Sequence, residues 1–407
     1  MSRIVIAGGG IAGLEGLIAL RGHLGPEVRI DLLEASTELV ERQRAVAEPF
    51  GGPAARRFDL ARIAADHGAT LAPDQLREVD APARTAHTVR GDAIAYDALL
   101  VAVGARPDVA IPGALTFTRP RDIGAFRRLR AVETGRVRRV AFAVPAGVAW
   151  TLPLYELALL TAGHLQGRRR DDVSLVVVTP EHDPLDVFGA PIAARIRALL
   201  SARRIALRTE AMPERVGPGG LMVAGGDLVR DEWVVALPRL NGPWIAGLPH
   251  DAEGFIPTDV HGAVPGAPSV WAAGDGTAFP IKQGGLAAQQ ADAAADAIAA
   301  ALGAPVDPAP FRPVLHALLL DPEGERLLDG DADEPTAEEP WWPATKVAAR
   351  HLAPYLSTRA PAGPEPDAAT EIDVRALLLA LADRHAAIEP ALAFEHPAWH
   401  TRLPRSS

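Results

Sequence analysis

The sequence predicts an α/β protein in which a strand–helix–strand unit occurs twice along the chain. Short apolar runs rich in β-branched residues begin at positions 3, 28, 139 and 173, and segments with helical apolar spacing lie between them. Strands that alternate with helices in this way form parallel sheets covered by helices. With 407 residues, the chain is long enough for two or three domains.

Composition narrows the class of protein. The hydrophobic fraction of 48% and the charged fraction of 23% are those of a globular protein, and the net charge of −10 disfavours a nucleic-acid partner. No uninterrupted apolar run reaches the roughly 20 residues of a membrane-spanning helix. The first strand begins at Arg3, which leaves no room for a signal peptide. We therefore expect a cytoplasmic protein without membrane contact.

The chain contains no cysteine. This excludes disulfide scaffolds, thiolate metal sites, iron–sulfur clusters and thiol redox relays. Among the histidines, His396 and His400 stand four residues apart, but they lie in a proline-containing tail, and we predict no metal site. Of the 41 basic residues, only Lys282 and Lys346 are lysines, and both fall inside segments considered below.

The first unit carries a glycine-rich turn between a strand and a helix. The strand over residues 3–7 is followed at once by Gly8, Gly9, Gly10, Ile11, Ala12 and Gly13. In this pattern Gly8 permits a tight turn, Gly10 lets the backbone approach a pyrophosphate, and Gly13 allows close packing of helix on strand. The helix N-terminus attracts phosphates. Glu34, which ends the next strand, can accept hydrogen bonds from ribose hydroxyls. The pattern predicts a Rossmann-like unit that binds a dinucleotide.

Two later segments indicate which dinucleotide. Residues 96–107 resemble the Tyr-Asp-x-Leu-x-x-Ala-Thr-Gly-x-x-Pro signature of the pyridine-nucleotide–disulfide oxidoreductase superfamily, with valine at 103 in place of threonine. Residues 269–275 resemble its Ala-Ala-Gly-Asp signature. The resemblance covers about residues 1–355 and implies FAD as the cofactor. It places Ala102, Gly104 and Gly274 beside FAD and lets Asp275 hydrogen-bond a ribityl hydroxyl.

Within that superfamily, the chain is most similar to the sulfide:quinone oxidoreductases and the type II NADH dehydrogenases. Residues 278–285 resemble their Pro-x-Lys-x-Gly segment beside the flavin ring, and residues 46–50 resemble the loop that passes the ring. The resemblance makes Lys282 and Gln283 cofactor-binding residues. A compact cation near the pyrimidine end of a flavin stabilises the reduced anion, so Lys282 is also a candidate catalytic residue. Residues 341–346 resemble a segment of uncharacterised relatives.

The second unit departs from the first in its connecting loop. A strand over 139–144, a helix from Leu157 and a strand over 173–178 repeat the plan, but residues 145–156 contain one glycine instead of three. A pyrophosphate would meet side chains there, which disfavours NAD(P)H, although Glu181 could hold a nicotinamide ribose. Glu156 is a second candidate catalytic residue. It either passes protons beside the flavin or is a carboxylate favoured by the helix dipole.

The resemblance also implies a domain plan. We expect an FAD-binding domain of residues 1–110 and 240–302, with a second Rossmann-like, NAD(P)-type domain of residues 111–239 inserted in it. Residues 303–407 form a C-terminal interface region with a linker near 358–370, and residues 372–387 carry a helical apolar face. In relatives this region covers the flavin and often forms a dimer interface, which implies a homodimer.

Three functions stay open on the sequence. The leading one is an FAD-dependent oxidoreductase that passes electrons to or from a non-thiol partner, which is a quinone, a small organic molecule or a protein. The second is an NAD(P)H:acceptor reductase of the type II dehydrogenase kind. The third is a non-catalytic flavin-binding scaffold. Sulfide oxidation through catalytic cysteines is excluded, because the chain has none.

Overall fold

The computed structural model describes residues 2–118, 130–315, 317–328 and 346–359. In chain order its helices are α1 (Ile11–Leu24), α2 (Leu60–Asp66), α3 (Arg130–Glu133), α4 (Leu152–Gly167), α5 (Ala190–Ala202), α6 (Gly284–Ala301) and α7 (Leu352–Ser357), with 3-10 helices at Arg42–Phe50 and Asp186–Phe188. The strands are β1 (Arg3–Ala7), β2 (Arg29–Leu33), β3 (Glu38–Val40), β4 (Arg57–Asp59), β5 (Thr70–Ala72), β6 (Leu76–Asp80), β7 (Thr85–Thr88), β8 (Ala93–Ala95), β9 (Ala98–Val101), β10 (Arg106–Asp108), β11 (Leu115–Thr116), β12 (Arg139–Ala143), β13 (Ser174–Val178), β14 (Ile205–Arg208), β15 (Pro213–Gly217), β16 (Gly220–Val223), β17 (Leu228–Val229), β18 (Trp233–Ala236), β19 (Arg239–Asn241), β20 (Val270–Ala272), β21 (Ala317–Asp321) and β22 (Gly324–Leu328).

The first sheet is parallel and has the strand order β20-β9-β1-β2-β5. Its central strand β1 is apolar from Ile4 to Ala7 and fully buried, as expected for a strand covered on both faces. Helices α1 and α6 pack along each other, and the small side chains of Ala291 and Ala294 lie buried in the same core cluster as α1. The order reverses at β1 and β9, so a crevice opens beyond the carboxyl ends of these strands.

The second sheet repeats this plan with the order β11-β18-β12-β13-β14, and all its pairs are parallel. Helix α4 follows β12 and begins at Leu152, five residues before the helix predicted from Leu157. Pro153 occupies the first turn, where a missing N–H costs no helical hydrogen bond, so proline marks the helix start here and does not delay it. Glu156 therefore lies one turn inside the helix.

The fold class predicted from the sequence is confirmed: two Rossmann-like parallel sheets flanked by helices. The antiparallel pair of β10 and β19 lies where the chain passes between the two sheets, and the β21–β22 hairpin packs on α4. The exact domain boundaries stay predictions. The helix expected over 372–387, His396, His400 and most of the linker near 358–370 lie outside the described residues. Within the described ranges, no helix combines the length and apolar character needed to cross a bilayer.

A glycine pair in α1 tests how tightly the first turn is packed. A Cβ on Gly13 would lie 1.8 Å from the carbonyl oxygen of Gly8, whereas a Cβ on Gly22 meets nothing within 4 Å. We expect Gly13→Ala to lower the free energy of unfolding by about 2–4 kcal/mol through this clash. Gly22→Ala, in the same helix, should raise it by about 0.5–1 kcal/mol. Urea unfolding of both variants measures the difference, and equal effects would contradict the packing described.

Candidate functional site

A cavity of about 470 Å³ opens at the carboxyl ends of the first sheet. The N-termini of α1, α4 and α6 all contribute to its wall, and their dipoles favour an anionic ligand. Ten of the twelve residues predicted to bind a cofactor line this cavity: Gly10, Ile11, Ala12, Glu34, Ala102, Gly104, Gly274, Asp275, Lys282 and Gln283. The other two, Gly8 and Gly13, are not part of its wall. Glu156 lines it as well. Residues far apart in sequence therefore share one wall.

The glycine turn has two packed positions and one open position. Gly8 has φ +113°, and a Cβ there would lie 2.2 Å from the carbonyl oxygen of Ala102. Gly13 is closed in the same way by the Gly8 carbonyl. Gly10, by contrast, has no atom within 4 Å of its Cβ position and faces the cavity. The turn therefore offers a bare backbone at the point where the sequence predicts a pyrophosphate.

Glu34 is fixed against this turn by two backbone donors. Its Oε2 accepts the N–H of Gly9 at 2.9 Å, and its Oε1 accepts the N–H of Ser36 at 2.8 Å. A carboxylate has about four acceptor positions, so each oxygen can still accept a hydroxyl from the cavity side. The arrangement suits a ribose and disfavours a phosphate next to the carboxylate.

Asp275 and Lys282 form the charged part of the wall near α6. Burial raises the pKa of Asp275, and the neighbouring Lys282 opposes that shift. Burial also lowers the pKa of Lys282 to about 8, although Asp275 favours its charged form. The ammonium donates to the carbonyl oxygen of Thr277 and lies 3.8 Å from the ring centroid of Phe255. At pH 7 Lys282 is thus mostly protonated, and it loses its proton when the pH rises by about one unit.

Gln283 has a structural role that the sequence did not reveal. Its side-chain Oε1 accepts the N–H of Leu286 at 2.8 Å and so caps the start of α6. Farther along the same helix, Gln290 accepts the N–H of Gly274 at 2.7 Å, which ties the end of β20 to α6. These two contacts hold the α6 N-terminus and the Gly274–Asp275 turn together at the cavity.

Lys346 is a site residue whose partner could not be found from the sequence. Its Nζ forms an ion pair with Oε1 of Glu156, and that oxygen also accepts the N–H of Leu320 at 2.8 Å. The side chains are 8% and 1% exposed. Both lysines of the chain therefore line the same cavity. The signal in the sequence was their rarity, and the pairing with Glu156 needed the fold.

Gln43 is a second residue that sequence reasoning missed. It lies in the 3-10 helix Arg42–Phe50 and lines the cavity, and its Oε1 is buried without a hydrogen-bond donor among the described residues. A buried acceptor without a donor is costly, by about 1–3 kcal/mol. A ligand with an N–H or O–H group at this wall would satisfy it.

The corresponding region of the second unit is filled by the protein itself. Oε1 of Glu181 accepts the hydroxyl of Thr151 at 2.8 Å and the N–H of Leu185 at 3.2 Å. Its Oε2 accepts the hydroxyls of Tyr155 at 2.6 Å and Thr179 at 2.7 Å. Burial raises the pKa of the Tyr155 hydroxyl, which keeps it a donor. Four internal donors thus occupy the carboxylate that the sequence offered for a nicotinamide ribose.

One group of potential metal ligands occurs in the described residues. Ligand atoms of Glu15, Asp292 and His351 lie within 4.8 Å of one another, on α1, α6 and the start of α7. Glu15 already accepts the N–H groups of His351 at 2.8 Å and Leu352 at 2.6 Å. These contacts explain the burial of Glu15 without a metal, and the absence of a metal site stays a prediction.

The fold is that of a class of protein, the dinucleotide-dependent oxidoreductases with two Rossmann-like units, and a cavity opens here at the glycine turn of the first unit. The family model described as pyridine nucleotide-disulphide oxidoreductase matches residues 2–297, and the chain belongs to this family. The superfamily inferred from the sequence is thereby confirmed, and with it the class of FAD-dependent oxidoreductases. No curated protein sequence matches the chain.

Solved structures share the fold at low sequence identity. The sulfide:quinone oxidoreductase of Aquifex aeolicus has a TM-score of 0.68 and 21% identity, over 73% of this chain and 76% of that one. A ferredoxin reductase of the CYP199A2 system from Rhodopseudomonas palustris has a TM-score of 0.61 and 18% identity, over 80% and 81%. NDH2 of Plasmodium falciparum has a TM-score of 0.54 and 14% identity, over 68% and 64%. At these identities the likeness shows the fold alone.

The buried ion pair predicts strong coupling between its members. Glu156→Gln leaves Lys346 buried without a counter-charge, and we expect a loss of about 3–5 kcal/mol in the free energy of unfolding. Lys346→Met should also destabilise, and the double variant should lose less than the sum of the two. Denaturant unfolding measures all three.

A surface carboxylate provides the control for this cycle. Asp227, which is 69% exposed in its pair with Arg208, should change stability by less than about 1 kcal/mol when replaced by asparagine. Additive effects of the two single substitutions at 156 and 346 would show that the two side chains do not interact.

Proposed function

We propose that the cavity binds FAD and that the chain passes electrons between FAD and a non-thiol partner. The observation that carries this proposal is the single wall shared by the glycine turn, Glu34, Asp275 and Lys282. Each of these groups has a matching part on FAD: pyrophosphate, ribose, ribityl chain and flavin ring. Bound FAD supplies reversible two-electron chemistry, and the protein supplies orientation and electrostatics.

The residues of the cavity fit such a ligand in both shape and charge. The open Cβ position of Gly10 allows phosphate oxygens to reach the N–H groups at the start of α1. The buried Oε1 of Gln43 accepts no hydrogen bond among the described residues, and the imide N–H of a flavin could donate one to it. The ammonium group of Lys282 has a pKa of about 8, so it is mostly protonated and positively charged at neutral pH. The cation stabilises negative charge that develops beside it.

The cavity wall also contains apolar side chains and one ion pair. Trp150, Leu152 and Leu318 line it together with Glu156 and Lys346. An apolar wall suits a planar organic acceptor, and a buried ammonium–carboxylate pair can hold and transfer a proton there. With no cysteine in the chain, a thiol relay is excluded. Structurally similar proteins are named for quinone and for ferredoxin partners, which supports a small organic or protein partner.

The alternative of an NAD(P)H:acceptor reductase is the weaker proposal. The repeat of the parallel sheet favours it, because a second dinucleotide unit has the right topology. Glu181 opposes it, because four internal donors already satisfy this carboxylate and a ribose would have to displace them. We therefore infer that electrons do not enter as hydride from a nicotinamide bound to the second unit.

Cofactor binding is tested first by the flavin content of the purified protein. We expect a bound flavin absorbance in the wild type and a loss of more than about tenfold in affinity for Gly10→Val, because the new side chain occupies the phosphate approach. The fold of this variant should persist, since the Cβ position is open. Gly22→Ala should retain the flavin. A folded wild-type protein unable to take up FAD would end the proposal.

The electron donor is tested by anaerobic absorbance spectra. NADH or NADPH should not bleach the flavin band within seconds, because internal donors already occupy the Glu181 carboxylate and the loop after β12 is poor in glycine. Dithionite, added afterwards as a control, should bleach it. Rapid bleaching by either nucleotide would establish the alternative reductase function and show that the Glu181 contacts yield to a ribose.

A further inference from the structure

A short segment links the cavity to the helix pair of the first unit. Residues 346–359 begin with Lys346 at the cavity wall and continue into α7, which packs on α1. Buried side chains of this segment, Val347, Ala349, Leu352 and Leu356, belong to the same core cluster as α1 and α6. The segment therefore places one end in the ligand cavity and the other on the outer side of the helix that begins at the glycine turn.

A single fully buried carboxylate holds this segment by its backbone. Glu15 lies on α1 with no exposed surface, and its two oxygens accept the N–H groups of His351 at 2.8 Å and Leu352 at 2.6 Å. These are charge-assisted hydrogen bonds to the unpaired donors at the start of α7. Only four residues lie between Lys346 and His351, so the backbone position set at His351 restricts where Lys346 can reach.

We propose that Glu15 is a positioning residue that docks segment 346–359 on α1 and thereby holds Lys346 against Glu156 at the cavity. The meaning of this contact for electron transfer rests on the proposed function, but the docking itself does not. Without the carboxylate, the segment would be held by the ion pair, by its apolar contacts and by the contacts of Tyr355 and Arg359 with Asp66 on α2.

The docking contact is linked to a proton. Asp292 on α6 lies beside Glu15, and burial together with the Glu15 carboxylate raises the pKa of Asp292 to about 8. The Arg350 charge opposes this shift, and Asp296 adds to it. His351 Nε2 lies 3.8 Å from Asp292 Oδ1, and burial lowers the pKa of His351, so this imidazole is neutral near pH 7. On α1, His23 pairs with Asp296 at 2.8 Å.

The sign of the pH effect follows from proton counting. In the docked state burial raises the pKa of Glu15 as well as that of Asp292, the latter to about 8, so the coupled pair keeps one proton up to about pH 8, whereas solvated carboxyl groups lose theirs near pH 4. Docking therefore takes up a proton between these values and weakens as pH rises, by at most about tenfold per pH unit. Above about pH 8 both states are ionised and the dependence ends.

Lysine labelling tests the proposal without any activity assay. The chain has two lysines, so an amine-reactive acetylating reagent followed by mass spectrometry reports Lys346 and Lys282 separately. We expect Glu15→Gln in the full chain to raise the labelling rate of Lys346 about tenfold or more, because each carboxylate oxygen accepts one backbone N–H and an amide replaces one of these oxygens by an NH₂ donor. The rate at Lys282 should stay within about twofold. Glu156→Gln, which removes the ion-pair partner of Lys346 but not the docking contact, serves as the reference for labelling without the ion pair.

A second variant, Asp292→Asn, tests the proposal over a pH series and keeps a side chain of the same size. The measured quantity is the ratio of the labelling rates of Lys346 and Lys282. This ratio should be higher in the wild type than in Asp292→Asn, and the difference should grow from pH 6.5 to 8 and then stay constant, because asparagine remains neutral. Unchanged Lys346 labelling in a folded Glu15→Gln protein would overturn the proposal. So would identical pH series for the wild type and Asp292→Asn if Glu15→Gln does not fold. A protein that passes these tests but binds no FAD would fail the proposed function alone.

Discussion

The close approach of the turn after β1 to the end of β9 is the constraint on which the first unit depends. The N–H of Gly8 donates to the Leu33 carbonyl on β2 at 2.9 Å, and the N–H of Ala102 donates to the Ala7 carbonyl at 2.7 Å. These bonds tie the turn to both neighbouring strands. The space left is too small for a side chain at Gly8, so the turn directs the start of α1 at the cavity. Every group proposed to meet a dinucleotide is placed relative to that helix start.

The two parallel sheets share a topology but differ in what lies beyond the carboxyl ends of their strands. In the first unit the crevice beyond the strands is lined by glycine backbone and leaves a cavity of about 470 Å³. In the second unit the same region holds Thr151, Tyr155 and Thr179, whose hydroxyls converge on Glu181. A half-buried carboxylate with four donors is satisfied without a ligand, so this network stabilises the fold. The same helix, α4, carries Glu156, which lines the cavity of the first unit.

Local patterns explain why much of this arrangement could be predicted from the sequence. The glycine turn, Glu34 and Asp275 each depend on a few consecutive residues at the end of a strand, and parallel strands bring such ends to one edge. The contact between Glu156 and Lys346 spans 190 positions and has no local signature. The predicted start of α4 at Leu157 is five residues too late, because proline usually indicates a loop but is well tolerated in the first turn of a helix, where Pro153 lies. Gln43 had no signal, since an unsatisfied acceptor is visible only after its neighbours are placed.

The use of lysine at this cavity has a physical reason. The chain has 41 basic residues and only two are lysines, so arginine supplies nearly all the positive charge outside this cavity. A guanidinium stays charged at any physiological pH, whereas an ammonium on a flexible stem loses its proton when burial disfavours the charge. Burial lowers the pKa of Lys282 to about 8, which places its deprotonation near neutral pH. Replacing it by arginine would keep the positive charge but remove that proton exchange. Lys282 therefore offers this cavity an exchangeable proton, which an arginine would not.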